Sequence, residues 1–421
     1  MKSSGMSAMA QPGAGGALQR KAPVRDSLTG REGMALFELM KCWRARKPWR
    51  VEESQNPQKL WRFARLHWLG AMVEIVGLDM DEDPCGLARQ ARDLYFSGLI
   101  RHERALRTCS DIELAARSTG VQVVALKGPA LVDQAYGGQA ARQYGDIDLF
   151  IPEKSEAWKL LETIGAAGTA RVMDGAGFYS RMRNPGKIQA DYEGFLLEIT
   201  CLEGEPSDPM LELFHRHRDR LFGSGKEEGI LSPDPSAHFV YLLLHMLTHH
   251  LCARLVWFMD LVAMNDKNLL DIEWITRELE AMELSGTAGH MAAFVQAWID
   301  PAFPGLGAAQ RGRRRFLAVM TDREVVFNRG LGPQYVTGMK RTMLHVVYLV
   351  LYFLIGDGKS GGKASRSNAA RWMGSRYARG LGYESRRLRK AIAWLAASLI
   401  LPLSRIVDLA LFSGKWFAMR P

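Results

Sequence analysis

The sequence predicts an α+β fold, a small mixed-sheet core flanked by helical N-terminal and C-terminal regions. Three observations carry that expectation. Apolar residues recur at helical spacing from Met34 to Ser118, the period changes to short β-branched runs after Gly120, and long helical patterns return from Pro235 onward. A chain of 421 residues, 47% apolar and 24% charged, has room for two or three packed units, which excludes a fibrous, collagen-like or wholly disordered protein.

Residues 1–30 are rich in small and polar side chains and lack the uninterrupted apolar run of a secretory signal, so they read as a disordered tail. Residues 31–118 form a helical region: Leu36, Phe37, Leu39 and Met40, then Leu60, Trp61, Phe63, Ala64, Leu66 and Trp68, mark two amphipathic helices. A third, long and charged, runs from Gly86 to Arg117. In the expected core, residues 119–205, the run Val121-Gln122-Val123-Val124-Ala125-Leu126 is a strand ended by Lys127-Gly128-Pro129. A helix over Ala130–Tyr136 follows. Ile147–Ile151 is a second strand halted by Pro152, Glu153–Ala167 is helical, and 186–201 reads as a hairpin that turns near Gly194. A helical domain is expected over 206–335, beginning with the strongly apolar stretch Pro235–Met264 and continuing with a helix around Phe316–Phe327.

The remainder, 336–421, holds two apolar windows, 341–355 and 391–403, each shorter than the ~18–20 residues of a spanning helix. They read as buried or interfacial helices. The formal charge is +10, and ten basic residues against one acid, Glu384, lie between 359 and 390. The excess is thus local, suited to peripheral contact with an anionic membrane face or a polyanion, or to a solvated basic loop. The five cysteines (Cys42, Cys85, Cys109, Cys201, Cys252) are odd in number, widely spaced and without a CxxC pair. That pattern predicts neither a disulfide-linked partner nor a thiolate zinc site, and fits a reducing, cytoplasmic setting.

The chemistry concentrates in Gly145-Asp146-Ile147-Asp148-Leu149. Strand side chains alternate, so Asp146 and Asp148 share one face while Ile147 and Leu149 enter the core. Two adjacent carboxylates repel unless a cation lies between them, and Mg²⁺, a hard ion that completes its shell with substrate phosphates, is the usual solution. A third acid on a neighbouring strand would complete the metal set. Glu198, isolated in the apolar run Phe195-Leu196-Leu197-Glu198-Ile199, is the first choice, with Asp191 and Glu193 as fallbacks. Lys127-Gly128 at a helix start supplies free N–H groups, helix dipole and charge for a triphosphate. Arg142 either grips a phosphate or pairs with Asp148. The arrangement points to phosphoryl or nucleotidyl transfer, where catalysis is mostly positioning and charge neutralisation.

The run Ala125-Leu126-Lys127-Gly128, Tyr136, Arg142 and Gly145-Asp146-Ile147-Asp148-Leu149-Phe150 resembles the signature of the uncharacterised nucleotidyltransferase family within the DNA polymerase β-like superfamily. The resemblance implies a polymerase β-like core, with Asp146, Asp148 and Glu198 as catalytic metal-binding acids for Mg²⁺, as two ions. Lys127, Gly128, Arg142 and Gly145 then bind the NTP, whose NMP goes to an unidentified acceptor such as a peptide, a saccharide or another small molecule of a biosynthetic pathway. Lys127-Gly128 stands where the superfamily usually has Gly-Ser, and Thr200 where the family commonly has His. The pattern His245, His249, Arg254, Trp257, Asp260 also resembles the family's downstream helices, so the likeness spans about 85–265. Two rival readings are a toxin-type enzyme that modifies tRNA or protein, and a non-catalytic binding or scaffold protein at a membrane surface.

Other signals weigh less. His245 and His249 have zinc-compatible helical spacing, but Met246 replaces the zincin Glu, and satisfied histidines on an apolar helix are the commoner case. A modest alternative turns His249 or Arg254 toward the nucleotide cleft. Gly358-Lys359-Ser360 lacks the rest of a P-loop, and no Gly-x-Ser-x-Gly elbow is present.

Overall fold

The computed structural model describes residues 31–306, apart from 53–54, 80–82, 84–85, 173–186, 203–208, 223–229, 247–253 and 283. The expected N-terminal tail, His249, the helix around 316–327, both C-terminal apolar windows and the basic segment 359–390 lie outside the described residues. Among those described, no helix is long and apolar enough to cross a membrane.

The N-terminal part is helical, as the spacing predicts: α1 (Arg31–Ala45), α2 (Pro57–Leu66), α3 (Gly70–Val76) and the 33-residue α4 (Leu87–Thr119). The start of α2 is fixed by Asn56, whose side chain accepts the Lys59 amide, and by Pro57 in the first turn. Two-residue strands β1 (Trp49–Arg50) and β2 (Leu78–Asp79) pair in parallel between these helices. Helix α4 ends at Gly120 in the left-handed region, which is where the hydrophobic period changes.

Among the described residues, the core sheet has six strands in the order β5-β6-β7-β4-β3-β8. They are β3 (Val123–Ala125), β4 (Asp146–Phe150), β5 (Arg171–Val172), β6 (Lys187–Tyr192), β7 (Phe195–Thr200) and β8 (Ile230–Leu231). Strand β4 runs parallel to β7 and antiparallel to β3, and β6 is antiparallel to β7, so the sheet is mixed. The expected hairpin is β6–β7. Its two-residue turn is Glu193-Gly194, with φ of 50° and 78°, the positive pair a tight hairpin demands. Helix α5 (Pro129–Tyr136) connects β3 toward β4, and α6 (Lys154–Thr163) follows β4.

Beyond the sheet lie α7 (Pro209–Arg216), α8 (Arg218–Leu221), α9 (Pro235–Leu244), α10 (Leu255–Asn265), α11 (Ile272–Ala281) and α12 (Ser285–Trp298). Asp234 caps α9 by accepting the amides of Ser236 and Ala237, both at 3.0 Å. Helices α9 and α10 are apolar on every side, the signature of fully buried helices, and every residue of α10 from Leu255 to Met264 is buried.

The alternation in β4 decides how the layers stack. Ile147 and Leu149 join Leu197, Ile199, Ile188 and Ala190 in a core closed by Ala105, Ile112, Ala115 and Ala116 of α4 and by Leu160 and Leu161 of α6. Phe150 belongs to the other face with Val124 and Leu126, and packs on Phe214 of α7 at a ring-centroid distance of 4.3 Å. Asp146 and Asp148 are on that same second face. The acids therefore lie where the sheet meets the helical layer made by α7 to α12.

Candidate active site

Strand register brings the acids together. Asp148 is the direct partner of Glu198 across the parallel β4–β7 pair, and Gln189 faces Glu198 from β6. Adjacent strands lie about 4.8 Å apart, so Asp148 and Glu198 are neighbours on one surface. Asp191 aligns with Leu196, which in turn aligns with Asp146. Asp191 is thus two strands from Asp146 and exposed, and Glu193 sits in the exposed hairpin turn. Of the three candidates for the third acid, Glu198 is the one the fold sets beside Asp148.

Asp148 is only 5% exposed. Its Oδ1 accepts from Lys127 Nζ at 2.9 Å, while Oδ2 is buried with no hydrogen-bond partner among the described residues. Burial raises the Asp148 carboxyl above the ordinary carboxylate range, Lys127 opposes the rise, and Asp146 adds to it. A buried carboxylate oxygen left without a donor is costly unless a cation takes it. That is the observation on which a divalent ion fits this site. For Glu198, burial also pushes upward, but Lys187 Nζ at one oxygen and Gln189 Nε2 at the other, 2.6 Å away, hold its carboxyl net below the usual range. Two ammonium groups thus stand among the carboxylates, and among the described residues no three metal-ligating side chains converge as a ready-made cage.

The Lys127-Gly128 turn is set by backbone geometry. Gly128 has φ 63° and ψ −126°, a region nearly exclusive to glycine, and a Cβ there would stand 3.0 Å from the Asp146 carbonyl oxygen. The turn is pressed against the start of β4 and opens α5, whose N-terminus has no side-chain cap. Gly128→Ala is expected to cost about 1–3 kcal/mol from backbone strain, with the turn displaced from β4. Urea denaturation checks the first, and an unchanged midpoint would contradict it. Gly145, expected to face nucleotide, accepts Arg101 of α4 at its carbonyl, 2.8 Å away.

Arg142 departs from both expectations. The residue is 5% exposed, and its Nε lies 2.9 Å from each carboxylate oxygen of Asp260 on α10. Tyr136 adds its hydroxyl to the same carboxylate at 2.8 Å. Burial works against the Arg142 cation, but Asp260 outweighs it and holds the group protonated. The pairing with Asp148 is therefore not made; Lys127 has that place. Sequence spacing could not reveal this, because Asp260 is 118 residues away.

Helix α9 and the turn after it contribute residues that sequence reasoning missed or discounted. His245, read as a satisfied core histidine, has Nε2 3.1 Å from Lys127 Nζ, so the ring accepts from the ammonium. The buried Tyr241 ring lies 5.9 Å from that of His245, and Asp148, Glu198 and Asp146 add to the burial that pushes its hydroxyl well up. The available signal was the i, i+4 spacing of Tyr241 and His245, which with His238 are polar groups on a mostly apolar helix. Lys187 carried no signal in sequence. Arg254 stacks its guanidinium 3.9 Å from the Trp68 ring. Burial, aided by Arg142, lowers its pKa to about 10.

His238 anchors the turn from behind: fully buried, it donates from Nε2 to the Leu126 carbonyl, and Nδ1 meets the Gln134 amide. Burial brings its pKa from 6.5 down to about 4, with the Leu126 carbonyl opposing and Arg142 assisting. Between those values the unfolded chain binds the extra proton, so stability falls as pH drops through this window. The loss is of the order of 3 kcal/mol by pH 4. Denaturation midpoints of wild type and His238→Asn from pH 7 to 4 check this, the variant showing the flatter profile.

A family profile described as uncharacterised nucleotidyltransferase matches residues 53–300, more than half of the chain. The chain belongs to this family. The nucleotidyltransferase is accordingly a transferase of phosphorus-containing groups, and its mixed α+β architecture agrees with that membership. The matched region takes in the whole sheet, the Lys127-Gly128 turn, all three acids and helices α9 and α10, the elements that meet at the site. No curated protein and no solved structure matches the chain.

Proposed function

We propose that this nucleotidyltransferase moves NMP from a Mg²⁺-bound NTP to an acceptor hydroxyl or phosphate, the acceptor being a small molecule, peptide or saccharide. The observation that carries the reading is the register of Asp148 with Glu198 together with the buried, unpartnered Asp148 Oδ2. Asp146, Asp148 and Glu198 would hold the metal, as two ions. When bound, Mg²⁺ neutralises charge developing on the transferred phosphoryl group and on the leaving pyrophosphate. Lys127 and the N–H groups at the Gly128 end of α5 receive the triphosphate, and Gly128 lets the turn lie close against the start of β4. Arg142 serves by fixing the loop ahead of Gly145 to α10 through Asp260.

In the transfer, the acceptor oxygen bonds to the α-phosphorus as the bond to the bridging oxygen breaks and pyrophosphate leaves. Glu198 helps to hold the metal and orients the acceptor oxygen, whose proton passes to solvent. The test is incubation of the protein and Mg²⁺ with each labelled NTP and with candidate acceptors, tRNA and protein among them, read by mass spectrometry for an added nucleotide. Absence of an adduct with every NTP and of pyrophosphate release would overturn the reading.

A further inference from the structure

The position of Lys127 carries a consequence for how the site is loaded. Lys127 is 8% exposed, and two of its three N–H donors are taken, one by Asp148 Oδ1 at 2.9 Å and one by His245 Nε2 at 3.1 Å. The first contact puts a positive charge on the carboxylate that a divalent ion would need. Lys187 does the same at Glu198, whose second oxygen is already held by Gln189. Asp148 and Glu198 are thereby each paired with a lysine, and among the described residues no group of three metal-ligating side chains forms a preformed cage.

Lys127 also belongs to the turn that would receive phosphate. It directly precedes Gly128, so its stem is rooted at the mouth of α5. Moving the ammonium from Asp148 to a phosphate there needs side-chain rotation about flexible bonds, and no backbone change. His245 keeps one of its N–H groups occupied in the meantime and limits where it can swing.

We propose that Lys127 is a resident counter-ion that competes with a divalent cation for Asp148, so that metal enters together with the triphosphate and not before it. This rests on the nucleotidyl-transfer reading for the identity of the second ligand, while the competition itself rests on the Lys127–Asp148–His245 contacts. A metal arriving alone must displace a buried ammonium from the carboxylate it is hydrogen-bonded to, and brings no anion in exchange. A metal arriving with a triphosphate supplies that anion. The two ligands are then coupled, each raising the affinity of the other by the same factor.

The test is Mn²⁺ binding to the full chain, followed by electron paramagnetic resonance of the free ion, for wild type, Lys127→Gln and Lys127→Arg, without nucleotide. Lys127→Gln is expected to bind Mn²⁺ at least about fivefold more tightly than wild type, the lower end of ordinary site–site coupling. Lys127→Arg, which keeps the charge, stays near wild type. Equal or weaker binding by Lys127→Gln overturns the proposal. Should that variant fold poorly, Mn²⁺ must raise its melting temperature more than that of wild type; a smaller shift likewise overturns it. A separate arm adds a non-hydrolysable NTP analogue with Mn²⁺ to wild type. No analogue binding there defeats the nucleotidyl-transfer reading, while the metal-only comparison still decides whether Lys127 guards Asp148.

Discussion

Replacing Asp148 by Asn is expected to abolish transfer of labelled nucleotide while the protein stays folded, and Asp146→Asn is expected to do the same. The two residues project from one face of β4, and of the two it is Asp148 that has a buried oxygen without a hydrogen-bond partner among the described residues. Asparagine keeps the shape and still accepts from Lys127 at its carbonyl oxygen, so the ladder of β4 and the packing of Phe150 on α7 are left in place. It removes the charge on which a divalent ion depends. Loss of one preorganised charge-stabilising group commonly costs roughly 10²–10³-fold in rate, and loss of a metal ligand should reach at least that. Initial-rate assays with circular dichroism on the same samples check the result. Retention of more than a tenth of wild-type activity in either variant would remove these acids from the mechanism.

The largest effect on stability is expected at Arg142 and Asp260. Both side chains are buried, and the pair joins the loop ahead of β4 to α10 in the helical layer, with Tyr136 hydrogen-bonded to the same carboxylate. Removing one member of a buried ion pair strands the other without solvent, at a cost of about 3–5 kcal/mol. Arg142→Ala and Asp260→Ala should each fall in that range by guanidinium denaturation. The double replacement Arg142→Met with Asp260→Leu should be less destabilised than the sum of the singles, because it leaves no orphaned charge. Single-variant losses under about 1 kcal/mol would show that the pair does not tie the layers together. Arg142→Lys is not expected to rescue, since an ammonium cannot reproduce the planar guanidinium that meets both Asp260 oxygens.

Much of this site can be read from local sequence. The alternation Asp146-Ile147-Asp148-Leu149 sorts its side chains by face with no knowledge of what lies opposite, because a strand has period two. Lys127-Gly128-Pro129 likewise announces a sharp turn into a helix, since Gly permits the positive φ and Pro favours the first helical turn. The hairpin at Glu193-Gly194 is local for the same reason. The roles of Arg142 and His245 were not legible. Each is fixed by a partner 118 residues away, Asp260 for Arg142 and Lys127 for His245, and neither contact leaves a periodic mark.

By itself, then, the amino-acid sequence determined strands β3, β4, β6 and β7 of the core but not β5 or β8, together with the shared face of Asp146 and Asp148 and the glycine turn, all of which follow from dihedral preferences and hydrophobic period within a few residues. Only the tertiary structure decided which acid stands beside Asp148, because register across β4 and β7 brings Glu198 there and leaves Asp191 two strands from Asp146. It also decided which cation neutralises which carboxylate. Lys127 takes Asp148 and Lys187 takes Glu198 through strand pairing within the sheet, and Arg142 takes Asp260 through the approach of α10. Charges can be counted along a chain, but their pairing depends on distances that exist only once the strands are in register and the helical layer has closed over them.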